Sequence, residues 1–253
     1  MVKMKCPYND FDCTVVDTSG MEKIDCGDCV FKCNRIKRYA CIASIPEREQ
    51  MLRKTVESLR DQVDKIYVTL NNYPYIPEFL TDCEGVILDN LMGDAGKFYF
   101  ADRLKGYILT CDDDLIYPPD YVEYMIAGLK KYHGCVVTLH GRSYPRPVTH
   151  FQRLKAGYPC LNTVDQDIEV DVGGDGVMCW HTDVLKVKFD DFKQKNMSQL
   201  YFSRLCHEQK VPIIVLAHQQ GYLIYQFPEW TIWDTEAQSG FTRQTELLKT
   251  FLF

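Results

Sequence analysis

The sequence predicts an α/β protein with a mostly parallel central sheet, helices on both faces, and a small cysteine-rich segment in front. Three observations lead to this prediction. Short apolar runs alternate with stretches of helical periodicity between residues 38 and 140. An acidic triplet directly follows one of the apolar runs, and α/β sheets place their ligand sites at such strand ends. Five cysteines lie within the first 33 residues, where apolar residues are few.

The overall composition is that of an ordinary globular chain. Of the 253 residues, 46% are hydrophobic and 25% are charged, which allows one large domain plus an appendage. The net charge of −6 and the pI near 5.5 give no support to a nucleic-acid-binding role. No run approaches the ~18 apolar residues of a membrane span, and the N-terminus lacks the apolar core of a signal peptide. We therefore expect a cytoplasmic protein that at most touches a membrane surface.

The chain has twelve cysteines, which in a chain without a signal peptide should be thiols or metal ligands rather than disulfides. Seven are scattered, several of them in apolar runs, and we expect these to be small core residues. They are Cys41, Cys83, Cys111, Cys135, Cys160, Cys179 and Cys206. The other five follow the pattern C-x6-C-x12-C-x2-C-x3-C and are Cys6, Cys13, Cys26, Cys29 and Cys33.

The close pair Cys26 and Cys29 is the strongest indication of a metal in this segment, because Gly27 permits the turn that aims two thiolates at one ion. Two further cysteines would complete a tetrahedral structural zinc site, with Cys33 as a spare or an alternative fourth ligand. A short segment with few apolar residues needs such a metal to fold. The alternative is a set of free thiols in a loose tail. We predict a zinc-binding segment over residues 1–36.

The first half of the remaining chain alternates regularly between strands and helices. Apolar runs predict strands at residues 38–45, 65–70, 86–88, 107–111 and 135–140. Helices are predicted from 46 to about 62, from 97 to about 103 and from 119 to 132. Pro46 suits the first helical position, and Leu52, Val56 and Leu59 then repeat at helical spacing.

The second half has a weaker pattern. Residues 141–171 are irregular, and we interpret them as an excursion over the site. A glycine-rich turn at 171–176 precedes a predicted strand at 177–180, a helix at 197–209 and a last core strand at 211–216. The tail ends in an amphipathic stretch to Phe253. Its Trp230 and Trp233, with Tyr222, are either aromatic platforms for sugar stacking or anchors in the core.

The acidic triplet Asp112-Asp113-Asp114 is the most informative motif in the chain. It follows a buried strand and precedes a Pro118-Pro119 break that must end the strand. Three adjacent carboxylates repel one another and are costly to bury, whereas a divalent cation relieves that repulsion. Oxygen ligands suit Mg2+ or Mn2+, and a metal held there can bind the phosphates of a nucleotide. The alternative is an acidic turn that caps the following helix, for which a single aspartate would suffice.

Four segments in a fixed order resemble a known family. They are Ile45-Pro46-Glu47-Arg48, Gln62-Val63-Asp64-Lys65-Ile66, Gly93-Asp94-Ala95-Gly96-Lys97-Phe98 and the run from Asp112 to Glu123. Together they resemble the GT-A glycosyltransferases of bacterial surface-polysaccharide synthesis, and within them the heparosan alpha-N-acetylglucosaminyltransferases. The likeness is strong from about residue 41 to 124, weaker to residue 223 and absent over the cysteine-rich segment.

The resemblance implies a Rossmann-like GT-A fold over residues 37–253, with a nucleotide-binding half at 37–140 and an acceptor-side half plus tail at 141–253. In that family an Asp-x-Asp motif binds the divalent metal that holds the donor's diphosphate. The implied metal ligands are Asp112 and Asp114, with Asp114 preferred. His218 matches a late histidine that completes the metal site in many members, or it is structural. The implied donor-binding residues are Ala43, Ser44, Ile45, Pro46, Arg48, Asn71, Asp94, Lys97, Asp112 and Asp113.

The general base is where the sequence departs from the family. Gln199 stands near a helix start where related enzymes carry an aspartate, and an amide cannot take up a proton. Asp171 and Asp175 are the best substitutes by position. Otherwise the reaction needs no base, or the chain is an inactive variant.

The resemblance implies transfer of a sugar, with GlcNAc as one candidate, from a UDP-sugar donor to a polysaccharide or lipid-linked glycan, with Mn2+ or Mg2+ as cofactor. It also implies peripheral contact with other glycan-synthesis proteins at the inner membrane face. Two alternatives stay open. A sugar nucleotidyltransferase would also use carboxylates and a metal, although this chain lacks glycine in the loop Ile45-Pro46-Glu47-Arg48-Glu49. The other alternative is a catalytically impaired binding partner in glycan synthesis, since Gln199 stands where related enzymes carry an aspartate.

Overall fold

The computed structural model describes residues 2–5, 12–15 and 36–253. The chain divides into two compact units, Met1–Lys37 and Arg38–Phe253. In the first unit, β1 (Val2–Lys5) and β2 (Asp12–Val15) form an antiparallel pair. The zinc prediction lies outside the described residues, since Cys6, Cys26, Cys29 and Cys33 are not among them and only the backbone of Cys13 is described.

The second unit contains all the other described strands and helices. Its strands are β3 (Arg38–Ser44), β4 (Lys65–Asn71), β5 (Glu84–Leu88), β6 (Tyr107–Asp112), β7 (Leu115–Ile116), β8 (Val136–Thr138), β9 (Gly141–Ser143), β10 (Ala156–Tyr158), β11 (Ile168–Val170), β12 (Val172–Gly173), β13 (Val177–His181), β14 (Ile213–Val215) and β15 (Ile224–Tyr225). Its α-helices are α1 (Glu49–Leu59), α2 (Tyr121–Tyr132), α3 (Ser198–Gln209), α4 (Ile232–Gln238) and α5 (Thr242–Lys249). Short 3-10 turns cover Pro46–Arg48, Glu78–Leu80, Gly93–Phe98, Ala101–Arg103 and Phe189–Asp191.

The central sheet has eight strands in the order β11-β14-β8-β13-β6-β3-β4-β5. Strand β3 pairs in parallel with β4 and β6, β4 pairs in parallel with β5, and β8 with β14. Strand β13 is antiparallel to both β6 and β8, so those two strands run in the same direction, and the edge strand β11 is also antiparallel. The prediction of a mostly parallel α/β sheet is confirmed, with β13 and β11 as the exceptions.

Alternate residues of the sheet pack into two separate hydrophobic cores, one on each face. In β3, Ile42 belongs to the core that includes Leu52 of α1, whereas Cys41 belongs to the core that includes Phe202 of α3. This alternation is what a strand buried on both faces requires. The scattered cysteines are free thiols, and five of the seven are buried, as expected of small core residues. In the described part of the chain, no helix is long and apolar enough to span a membrane.

Two regions differ from the sequence prediction. The irregular excursion contains a small sheet in the order β10-β9-β12, so part of it is regular. The helix predicted from residue 97 to 103 is wrong, because 3-10 turns occupy Gly93–Phe98 and Ala101–Arg103. The carbonyl of Gly96 accepts from the Tyr99 amide and from Thr69 Oγ1 at 2.8 Å, and a Cβ at residue 96 would lie 2.8 Å from Thr69 Cγ2. The segment therefore lies directly on the end of β4, which favours a tight turn over an α-helix.

Candidate functional site

The carboxyl ends of three neighbouring parallel strands meet at one edge of the sheet and line a cleft. Ser44 ends β3, Asn71 ends β4 and Asp112 ends β6. The cleft has two adjoining parts, cavity A of about 440 Å³ and cavity B of about 270 Å³. This is the position at which open α/β sheets bind ligands.

Most of the predicted site residues line this cleft. Those in cavity A are Ala43, Ser44, Ile45, Arg48, Asn71, Asp94, Lys97, Asp112 and Asp113. Arg48, Asp94, Lys97 and Asp112 also line cavity B, which they share with Asp114, Asp175 and Gln199. Pro46 lines neither cavity and starts the 3-10 turn that follows β3.

The three aspartates of the triplet have different environments. The buried carboxylate of Asp113 accepts from Ser44 Oγ at 2.6 Å and from Arg48 Nη1 at 2.9 Å. Asp114 Oδ2 lies 3.2 Å from the same Arg48 nitrogen. The Asp112 side chain is 42% exposed and accepts from Lys97 Nζ. Asp113 therefore has two protein donors, whereas Asp112 and Asp114 have one each, and both of the latter line cavity B.

The clustering of carboxylates makes their charge costly. Burial raises the pKa of Asp114 to about 7, and the neighbouring Asp112 and Asp113 add to this effect. Burial also raises the pKa of Asp113, against the opposing influence of Arg48 and Ser44. A divalent cation beside Asp112 and Asp114 would relieve this repulsion, and their oxygens are the ligands that Mg2+ and Mn2+ prefer.

The protein supplies only part of a metal coordination sphere here. Within residues 2–5, 12–15 and 36–253, no group of three or more His, Cys, Asp or Glu side chains is arranged to hold a metal ion. A cation at Asp112 and Asp114 would need its other ligands from a bound molecule or from water. Mg2+ sites that hold substrate phosphates are built in this way.

Lys97 is a buried cation at the junction of the two cavities. Its side chain is 4% exposed, bonds to Asp112 and lies 3.8 Å from Asp175 Oδ2. Burial alone would lower the pKa of Lys97, but the carboxylates of Asp112, Asp175 and Asp94 raise it above its usual value. The pKa of Asp94 is raised to about 7, first by burial and then by the negative charge of Asp175. Lys97 therefore stays charged and neutralises acidic groups that would otherwise repel one another.

Asp175 is the candidate base that the structure brings to the cleft. Its buried carboxylate accepts a hydrogen bond from Ser198 Oγ, and burial raises its pKa. Gln199, the next residue along α3, lines the same cavity B. A carboxyl group whose pKa is raised by burial and which is oriented by a hydroxyl can act as a general base.

Asp171 and His218 line neither cavity. The Asp171 carboxylate accepts from Arg146 Nη2 and from the Tyr144 amide, both at 2.7 Å, and lines a different pocket. His218 Nδ1 lies 2.8 Å from the Leu216 carbonyl oxygen. The geometry thus gives no support to Asp171 as a base or to His218 as a metal ligand.

The C-terminal tail closes one side of the cleft. Strand β15 pairs with β7, directly after the triplet, and the Gln226 amide donates to the Asp114 carbonyl at 2.9 Å. Arg48 Nη2 donates to the carbonyl of Trp230 at 2.8 Å, across 182 positions of sequence. Trp230 lines cavity A and Trp233 lines cavity B, whereas Tyr222 packs edge-on against Tyr124 instead. The tail therefore contributes walls to the site.

Sequence reasoning missed several residues that line the cleft. They are Asn90, Arg142, Phe151, Lys195, Asn196, Glu236, Arg243 and Gln244. Each comes from the weakly patterned excursion, a loop or the tail, and none belongs to a local motif. The only available signal was the placement of residues 141–171 over the site.

No protein-family model matches the chain, and no curated protein is significantly similar to it in sequence. Many solved structures share its architecture, including the following two. S. aureus TarS 1-349, in complex with UDP-GlcNAc, has a TM-score of 0.51 and 13% identity over 73% of this chain and 57% of that chain. Glucosyl-3-phosphoglycerate synthase from Mycobacterium tuberculosis, in complex with Mn2+, UDP-glucose and phosphoglyceric acid, has a TM-score of 0.50 and 13% identity over 85% of this chain and 79% of that chain.

The fold is GT-A. At 13% identity these likenesses establish the fold alone, and the chain spans 57% of the TarS structure. The predicted GT-A architecture is thereby confirmed. The finer resemblance to the heparosan enzymes stays a prediction, since neither neighbour is one.

Proposed function

We propose that the protein is a metal-dependent glycosyltransferase that moves a sugar from a UDP-sugar donor to a glycan or lipid-linked acceptor. The observation that carries the proposal is the convergence, at one edge of a GT-A sheet, of Asp112 and Asp114 with the cations Arg48 and Lys97. A site with both carboxylates and buried cations suits a diphosphate bound through a divalent metal.

In this proposal cavity A holds the nucleotide. Its walls include the end of β3 with Ala43, Ser44 and Ile45, and Asn71, whose side-chain amide donates to the Gly93 carbonyl at 3.0 Å. Its volume of about 440 Å³ is within the range of small-molecule sites. Lys97 supplies a fixed positive charge for the phosphates, and Arg48 a planar set of donors.

Cavity B then holds the donor's sugar and the acceptor. Asp175 would accept the proton from the acceptor hydroxyl, and Gln199 would hydrogen-bond to a sugar hydroxyl. Mn2+ or Mg2+ at Asp112 and Asp114, when bound, would stabilise the negative charge that develops on the departing UDP. The proposal also includes a structural zinc site in residues 1–36. It further includes contact with other glycan-synthesis proteins at a membrane face.

A panel of UDP-sugars tests this function. Purified protein with Mn2+ should release UDP slowly from one sugar nucleotide, such as UDP-GlcNAc or UDP-glucose, by hydrolysis, and faster when an acceptor is added. EDTA should stop the release and Mn2+ should restore it. UDP binding without release from any donor or acceptor would favour the catalytically impaired binding partner, with Gln199 as the cause.

Gly176 offers a separate test, because it lies directly against the triplet. A Cβ at residue 176 would lie 1.7 Å from Asp112 Oδ2 and 2.0 Å from Asp112 Cγ. Gly176→Ala must therefore displace the Asp112 carboxylate, and we expect turnover to fall by about 100-fold, as misplacements near 1 Å can cause. The rate of UDP release under saturating donor measures this. Gly157→Ala is the control, since its Cβ would meet only Leu154 Cδ1, at 3.2 Å. Equal rates in the two variants would contradict the role of Asp112.

A further inference from the structure

Arg142 is a cation of cavity B and the middle residue of β9. Its guanidinium lies over two neighbouring aromatic rings. Its Cζ is 4.8 Å from the ring centroid of Phe151 and 5.2 Å from that of Trp233. The two rings restrict the position of the guanidinium.

This guanidinium has no carboxylate partner within the described residues. Its Nη1 is buried and makes no hydrogen bond of good geometry there. The same holds for the hydroxyl of Tyr144, which nevertheless lies close enough to interact with the guanidinium. Burial lowers the pKa of Arg142, and the group that opposes this effect is the Tyr144 hydroxyl rather than an acid. The side chain as a whole is half-buried, and an arginine that is partly withdrawn from water is usually paired with an anion, so this position is unusual.

Two other cations of the cleft, Arg48 and Lys97, are paired. Arg48 bonds to Asp113 and Asp114, and Lys97 bonds to Asp112. The acid contributed to cavity B by the tail, Glu236, is already used, since its two oxygens accept from Arg243 and Gln244. None of the ion pairs among the described residues includes Arg142. A bound molecule can supply the anion that these residues do not.

We propose that Arg142 binds an anionic group, a phosphate or a carboxylate, on the acceptor. This inference rests on the proposed function, because that function assigns cavity B to the acceptor. Arg142 lines cavity B together with Asp175 and Gln199 but does not line cavity A, where the nucleotide is placed. Gln244 Oε1, also in cavity B and without a partner among the described residues, could accept from a hydroxyl of the same molecule. The planar guanidinium fork matches the two oxygens of a phosphate or carboxylate.

The test uses full-length protein saturated with UDP and Mg2+, so that the added anion does not occupy the donor site. Glycerol 3-phosphate and glucuronate are titrated as the phosphate and carboxylate probes, with glycerol and glucose as their uncharged counterparts. Tryptophan fluorescence reports binding, because Trp233 lies against the guanidinium. We expect wild-type protein to bind at least one anion and to bind neither uncharged probe measurably. The two arms show whether phosphate or carboxylate is preferred.

Arg142→Gln should weaken binding of that anion by at least tenfold and leave the affinity for UDP within twofold of wild type. Arg103→Gln is the matched control, since Arg103 also lies over an aromatic ring, Tyr99 at 5.1 Å, but outside both cavities. It should change neither affinity.

Three outcomes would overturn the proposal. Two are binding results: wild-type protein binds UDP normally but neither anion, or Arg142→Gln binds the anion as tightly as wild type. The third is a stability result. The Tm of Arg142→Met should equal or exceed that of wild type, because the substitution removes an unpaired charge that is partly withdrawn from water. A lower Tm in both Arg142 variants would assign the guanidinium to the fold. Failure of wild-type protein to bind UDP at all would instead count against the proposed function.

Discussion

Replacing Asp114 with asparagine should lower the rate of UDP-sugar turnover by at least about 100-fold. The substitution keeps the shape of the side chain and removes the charge that a divalent cation needs. The pKa of Asp114 is raised to about 7 by burial and by its acidic neighbours, so neutralising it also relieves repulsion in the folded protein. We therefore expect Mn2+-dependent UDP binding to be lost while the Tm does not fall. Calorimetry and thermal unfolding of the same preparation measure the two effects.

Asp113→Asn is the matched control within the triplet. Its carboxylate accepts from Ser44 and Arg48, so Asp113→Asn should leave the enhancement of UDP binding by Mn2+ in place. If Asp113→Asn abolishes the Mn2+ effect and Asp114→Asn preserves it, the assignment of metal ligands is wrong.

Lys97→Met should have the largest effect on stability. It removes the cation that neutralises Asp94, Asp112 and Asp175, and its side chain is 4% exposed. Removing one partner of a buried ion pair costs about 3–5 kcal/mol, because the remaining charges stay buried. The free energy of unfolding, from denaturant titration at pH 8, should fall by about this amount. UDP affinity should fall as well, since the site loses a phosphate-directed charge.

The effect of Lys97→Met should depend on pH. Burial already raises the pKa of Asp94 and of Asp175, and loss of the lysine raises both further. The folded variant then binds protons that the unfolded chain does not, so its stability increases as the pH falls from 8 towards 5. Lys131→Met is the control. Lys131 also forms an ion pair, with Asp167, but the Lys131 side chain is 62% exposed. Only a small loss of stability is expected there, because solvent screens an exposed ion pair. Equal losses in the two variants would contradict the role given to Lys97.

The parts of the fold that local patterns encode could be predicted from the sequence. Alternating apolar runs gave the parallel strands around β3, and the acidic triplet marked the strand end at which the cleft lies. Strand β13 was expected as a strand, but its antiparallel direction depends on how the chain returns to the sheet, which no local pattern records. The turn at Gly96 was mistaken for a helix because its tight contact with Thr69 involves residues far apart in sequence.

The candidate site was predictable mainly around cavity A, with Asp175 and Gln199 as predicted residues of cavity B. Residues 43–48, 94–97 and 112–114 lie in short motifs, and of the site residues predicted there only Pro46 does not line the cleft. Arg142 has no motif, and its significance depends on Phe151, Trp233 and the absence of an acidic partner among the described residues. The contact between Arg48 and the Trp230 carbonyl likewise joins distant segments. Such features follow from packing between elements and become visible only in the folded chain.

The most direct test of the central claim is calorimetric titration of wild-type protein with UDP, with and without Mn2+. Because Asp112 and Asp114 face the cleft beside Lys97 and Arg48, we predict binding of UDP that tightens at least tenfold when Mn2+ is present, and that loses this enhancement in Asp114→Asn. UDP binding of equal strength with and without Mn2+ would contradict the metal site. Absence of UDP binding under both conditions would contradict the proposed glycosyltransferase function itself.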